Sequence, residues 1–144
     1  MYKVLKPFVF ILFLAIINFQ TACNNNDDVD PDSICDEFCT TEFVTISVTI
    51  TGQSQNPVAL DSYSVVNLET AQDITITLNE AEFEFAQQEG RYPLVNDATF
   101  ERLQGSNIQF TGFINGQQVI TGNYSAGRGC CHVEINSGDL QLTL

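Results

Sequence analysis

Tryptophan is absent from this chain, histidine and methionine occur once each, and only five Lys and Arg stand against eighteen Asp and Glu. Each shortage closes off a class of function. Phosphate binding draws on clustered Lys and Arg, so a nucleic-acid partner is not expected. A single histidine rules out the paired-histidine helix motif of zinc hydrolases, and the Gly-x-Ser-x-Gly elbow of serine hydrolases does not occur. With no Trp and four Tyr, the flat aromatic platforms of a sugar-binding module have little material. Tyr63, Tyr92 and Tyr124 suit the edge of a core, with their hydroxyls in water.

What is present begins with the one long apolar run. Lys3 and Lys6 form a short basic head, and Phe8 to Phe19 follow almost without a polar break, the layout of a secretory signal peptide. The run is shorter than the roughly 20 apolar residues of a bilayer span. It ends in Gln20-Thr21-Ala22-Cys23, followed at once by the polar tract Asn24 to Asp32. This junction resembles a bacterial lipobox, with Gln20 standing where the motif usually has an apolar residue. The resemblance implies cleavage before Cys23, a lipid on that cysteine and attachment to a membrane. The acidic tract after Cys23 is similar to the export tag of surface lipoproteins of the Bacteroidota. Its low hydrophobicity and its charge also suit a solvated tether. Asp27 to Asp32 offers oxygen ligands for calcium but lacks the ordered glycine and terminal glutamate of a calcium loop.

The expected organisation is therefore a signal peptide over 1–22, a lipidated cysteine with its tether and a cysteine-bearing lead-in over 23–42, and one domain over 43–144. Without residues 1–22 the chain keeps three Arg against all eighteen acids, a formal charge of −15. That acidity keeps a surface protein soluble and repels it from anionic surfaces. Roughly a hundred residues remain, enough for one core.

Within that domain the pattern reads as strands. Phe43 to Thr51 alternates strictly, with Val44, Ile46, Val48 and Ile50 on one face and Thr45, Ser47, Thr49 and Thr51 on the other. Gly52 to Pro57 supplies a turn. Val58 to Leu68 reads as one bent strand or two short ones, and Asp73 to Leu78 alternates again. In 79–90, Ala81, Phe83 and Phe85 alternate with Glu80, Glu82 and Glu84. That favours a strand with its phenylalanines in the core and a solvated glutamate face, although Asn79 with Glu82 and Gly90 would also suit a capped helix. Pro93 assigns Arg91 to Asp97 to a sheet edge. Asn115-Gly116, between Asn107 to Ile114 and Gln117 to Tyr124, predicts a tight hairpin with a type I′ turn. After a loop over 125–129, Cys130 to Ile135 and Leu140 to Leu144 are expected to pair around Ser137-Gly138. The whole is an all-β chain, a single antiparallel β-sandwich of the immunoglobulin-like kind or a relative of it.

The four cysteines beyond Cys23 hold the two ends together. On a strand, Cys130 and Cys131 leave opposite faces. In an exported protein Cys35, Cys39, Cys130 and Cys131 are most simply two disulfides. A bond between neighbours strains the backbone, which leaves the two arrangements that link Cys35 and Cys39 to Cys130 and Cys131. Either one staples the lead-in to a late strand. The alternative is a metal site or redox centre using Cys35, Cys39, Cys130 and His132; the ligand types suit zinc, but the spacing is not that of a zinc finger.

The segments Pro57-Val58-Ala59-Leu60-Asp61-Ser62-Tyr63, Gly90 to Asp97 and Cys130-Cys131-His132-Val133 lie in this order behind the lipobox. Together they resemble a group of small Bacteroidota lipoproteins whose architecture is similar to the transthyretin-like or carboxypeptidase-regulatory-like β-sandwich. The resemblance implies an accessory domain for adhesion, binding or folding support, with a protein or glycan as partner. It implies no catalytic residues and no cofactor. The expectation is thus a non-enzymatic, lipid-anchored protein of the outer membrane or cell surface.

Overall fold

The computed structural model describes residues 39–99 and 106–144, which fall within one compact unit. The stretch expected to be a signal peptide, Cys23, the acidic tract expected to be a tether, and Cys35 lie outside the described residues. Among the described residues, seven strands and one helix follow in the order β1 (Thr45–Thr51), β2 (Ser62–Asn67), α1 (Glu80–Glu89), β3 (Arg91–Asn96), β4 (Ser106–Ile114), β5 (Gln117–Arg128), β6 (Val133–Ser137) and β7 (Gln141–Thr143). They form two sheets, a three-stranded one ordered β3-β1-β7 and a four-stranded one ordered β2-β4-β5-β6. The fold is all-β and sandwich-like.

Strand β1 keeps the alternation of its sequence, and Val48 and Ile50 are completely buried. They meet Leu60, Val65, Ile74, Leu94, Ile108 and Phe110 in one core. Aromatic rings carry the contact between the sheets. Tyr63 of β2 lies 5.7 Å from both Tyr92 of β3 and Phe110 of β4, and Tyr92 lies 6.4 Å from Phe83 of the helix, all centroid to centroid. The tyrosine hydroxyls are not in water as the sequence suggests. Tyr92 is fully buried; its hydroxyl donates to the Val58 carbonyl at 2.9 Å and accepts the Leu60 N–H at 2.7 Å. The Tyr63 hydroxyl donates to the Ile76 carbonyl, and that of Tyr124 to the Asp139 carbonyl. Burial pushes the hydroxyls of Tyr63 and Tyr124 up to about 12.

Several local readings hold. Asn115 and Gly116 take φ of 54° and 71°, the two positive values a type I′ turn requires, and β4 and β5 pair antiparallel on either side. Pro93 sits on edge strand β3, opposite Ser47 and beside the register shift between Ile46 and Ser47, where a missing N–H costs the ladder nothing.

Three readings are corrected. Residues 80–89 are helical, because local end signals outweigh the alternation. The Asn79 side chain accepts the Glu82 N–H at 3.0 Å, the Glu82 carboxylate accepts the Asn79 N–H at 2.9 Å, and Gly90 closes the helix in the left-handed region at φ 62°. Winding the segment separates its phenylalanines: Phe83 packs inward with Ala86, whereas Phe85 is 63% exposed. Asp73 to Leu78 is extended but forms no strand; it follows β2 through the single bridge Val66–Asp73 and the bond from Ile74 N–H to the Val65 carbonyl. Finally, β6 and β7 are not a hairpin. The chain crosses after Ser137, so β6 pairs with β5 in one sheet and β7 runs parallel to β1 in the other. One parallel pair thus interrupts an otherwise antiparallel architecture.

Candidate functional site

The polar groups with the most concentrated chemistry lie at one corner, where the lead-in enters β1, β3 ends and β6 begins. Three separate chain segments meet there. Strand β6 begins only at Val133, so Cys130, Cys131 and His132 belong to a bend rather than a strand. The bend is closed by the Gly129 N–H donating to the His132 carbonyl at 2.9 Å. The argument that the adjacent cysteines leave opposite sheet faces therefore does not apply. The bend itself turns Cys131 toward the lead-in.

Cys39 and Cys131 are joined by a disulfide, 92 residues apart in sequence. Cys130 is also disulfide-bonded, and Cys35 lies outside the described residues. In the chain-entropy model a loop of this length is worth about 4–5 kcal/mol to the folded state. That is comparable with the whole stability of a small domain, roughly 5–15 kcal/mol. Sulfur held in a disulfide offers no thiolate, so Cys39 and Cys130 are not available, in this state, to the metal set that would join them to Cys35 and His132. Among the described residues, no group of three or more His, Cys, Asp or Glu is gathered as a metal would need.

Asp97, which the sequence marks only as the end of the edge segment Arg91 to Asp97, is the hub of this corner. Its Oδ2 accepts the Val44 N–H at 2.8 Å and faces His132 Nδ1 at 2.9 Å, while Oδ1 accepts the Val133 N–H at 3.0 Å. The Asp97 N–H in turn donates to the Val44 carbonyl at 3.1 Å. The N–H of Val44, then that of Val133, hold the Asp97 carboxyl below its ordinary value, with His132 adding to the effect. An ionised carboxylate only accepts, so His132 donates from Nδ1; in the neutral ring Nε2 is then the acceptor. Thr40 Oγ1, 3.2 Å from Nε2, supplies the matching hydroxyl proton. The imidazole is oriented at both nitrogens and only partly exposed.

Comparison with known proteins finds no matching family model, no matching curated protein and no matching solved structure. The chemistry of the corner is therefore read from its geometry.

Carboxylate, imidazole and hydroxyl stand here in the order of a hydrolase relay. Such a relay also needs backbone N–H groups aimed at the place where an oxyanion will form. At this corner three nearby N–H groups are already committed. Those of Val44 and Val133 donate to Asp97, and that of Gly129 to the His132 carbonyl. The arrangement works as a clamp, with Asp97 holding the lead-in and β6 against the end of β3 beside the disulfide. Nothing in the sequence marks Asp97 or Thr40 for this role. The neighbourhood of His132 to the cysteine pair is the only hint, since the disulfide brings whatever flanks Cys39 to whatever flanks Cys131.

Proposed function

We propose that this chain is a lipid-anchored protein of the bacterial envelope or cell surface, and that its β domain is a non-enzymatic structural or interaction module. Its sandwich is taken to be of the transthyretin-like or carboxypeptidase-regulatory-like kind. The observation that carries the reading is the corner itself: its one imidazole, the carboxylate beside it and three neighbouring backbone N–H groups bond to each other and hold chain segments together. The lipobox-like junction at Cys23 and the acidic tract behind it supply the anchor and the tether. The disulfide between Cys39 and Cys131 suits an oxidising compartment outside the cytoplasm. The strongly negative charge speaks against a nucleic-acid partner, and the partner in this reading is a protein or a glycan.

The test is expression of the full chain in a bacterial host with membrane fractionation and mass analysis of the N-terminal peptide. A diacyl or triacyl mass on Cys23 in the membrane fraction is expected. Unmodified Cys23 in a soluble product overturns the anchored reading. Treatment with a fluorophosphonate probe tests the other half, because labelling at Thr40 that disappears in His132→Gln would make the corner a catalytic site.

A further inference from the structure

The two faces of the four-stranded sheet differ in kind. In an antiparallel ladder, residues directly opposite each other share a face. Val65, Phe110 and Gly122 form one such row and Asn67, Ile108 and Tyr124 another, and both turn to the core. The alternate rows turn away from it. Ser64, Thr111 and Thr121 make a row of hydroxyls, and Val66, Gln109 and Asn123 make the row beside it. On the other side of the hydroxyls, Phe113 stands between Ser62 and Gln118. Phe113 and Val66 are half-buried, yet neither packs into the core. The helix packs on β3, in the other sheet.

No side chain in these three outer rows is charged, in a chain whose formal charge is −13. Carboxylates stand only at their border: Glu69 accepts from Asn107, Asp61 accepts the Asn115 N–H, and Glu134 lies opposite Gly127. The amides within the rows are held in place. Gln109 Nε2 donates to Asn123 Oδ1 at 3.0 Å, and Gln118 Nε2 donates to Thr121 Oγ1 at 2.7 Å. The first of these bonds leaves Gln109 Oε1 as an acceptor beside Asn123 Nδ2 as a donor. Such a pair matches two neighbouring sugar hydroxyls, each of which both donates and accepts. Phe113 supplies an aromatic ring for the C–H side of a sugar, which a count of Trp and Tyr overlooks. Members of a row are one strand spacing apart, about 4.8 Å, close to the length of one sugar unit in a chain.

We infer that this outer face of β2, β4 and β5 binds a neutral polysaccharide. Charge selects against the other polymers. An anionic chain is repelled by the protein as a whole, and a cationic one is drawn to the carboxylates rather than to a face without any. A protein partner would call for a dry apolar centre, whereas here the hydroxyl row separates Val66 from Phe113. The inference rests on the reading of this domain as an interaction module and narrows its partner.

Native affinity electrophoresis of the full, oxidised chain tests it, in gels that contain dextran, laminarin or galactomannan, with polygalacturonate as the anionic control. Retardation by at least one of the three neutral polymers and none by polygalacturonate is expected. Combining Gln109→Ala with Asn123→Ala should weaken that binding at least about tenfold, and so should Phe113→Ala, whereas Glu84→Gln on the helix should leave it unchanged. An unchanged urea midpoint for these variants separates lost contacts from a lost fold. Absence of retardation by all three neutral polymers overturns the inference, as does binding that survives the double substitution. So does self-association in sedimentation that the double substitution abolishes, since the face would then join two copies of this chain. Failure on these counts leaves a protein as the partner of the module. Unmodified Cys23, read by mass, strikes the anchor alone and leaves the electrophoresis unchanged.

Discussion

Replacing Asp97 with alanine removes the one group that joins the lead-in, β3 and β6 at the stapled corner. Three donors lose their acceptor: the N–H groups of Val44 and Val133, and Nδ1 of His132. Val133 is 3% exposed, so water cannot easily replace the carboxylate there, and a buried unpaired N–H costs about 1–3 kcal/mol. Val44 is half-buried and His132 partly exposed, so each can recover some hydration. Taking about 2 kcal/mol for Val133 and about 1 kcal/mol for the other two together gives a loss of about 3 kcal/mol at neutral pH. The assay is urea unfolding of the oxidised protein, read as a lower midpoint at unchanged slope. The acidic limb provides an internal check. Asp97 has its folded value lowered from 3.8, so its contribution is fully present above 3.8 and is lost as pH falls through the folded value. The gap between native protein and Asp97→Ala should therefore narrow below pH 3.8. A deficit below about 1 kcal/mol at pH 7, or one that stays constant down to pH 2, refutes the hub role given to this carboxylate.

Two further substitutions probe the packing around Tyr92 and the end of the helix. Tyr92→Phe keeps the ring contacts with Tyr63 and Phe83 but strands the Leu60 N–H and the Val58 carbonyl, and thermal unfolding should show a loss of about 2 kcal/mol. An unchanged midpoint would mean that solvent reaches those groups. Gly90→Ala puts a Cβ 2.5 Å from the Ile50 carbonyl oxygen at a residue with φ 62°, so it should cost more than about 2 kcal/mol in chemical denaturation. A neutral result there would place the helix end elsewhere.

How much of this was legible in the sequence depends on the range of the interaction. The β1 alternation, the Asn115-Gly116 turn and the edge position of Pro93 are properties of a few adjacent residues, and all three are found where the pattern puts them. The helix is masked in the sequence because Glu80 to Phe85 alternates as a strand would, and what decides it lies in the reciprocal bonds of Asn79 and Glu82 and in Gly90. The crossing of β7 to β1 leaves no local mark, since it depends on which edge is open when Gln141 to Thr143 arrive. The staple was legible in outline from the cysteine count. The clamp was not, because Asp97, Thr40 and His132 come from segments up to 92 residues apart.

The pairing of β1 with β7 also sets an order of events during synthesis. Strand β1 is the first of the described strands to be synthesised, yet one of its two partners, β7, is the last of them, and the Leu144 N–H reaches back to the Thr51 carbonyl at 2.9 Å. Until residues 141–143 emerge, the central strand of the smaller sheet keeps an open edge, and pairing so distant in sequence forms slowly. The domain therefore stays incompletely folded until β7 has been made, a state in which it can still be captured by a chaperone.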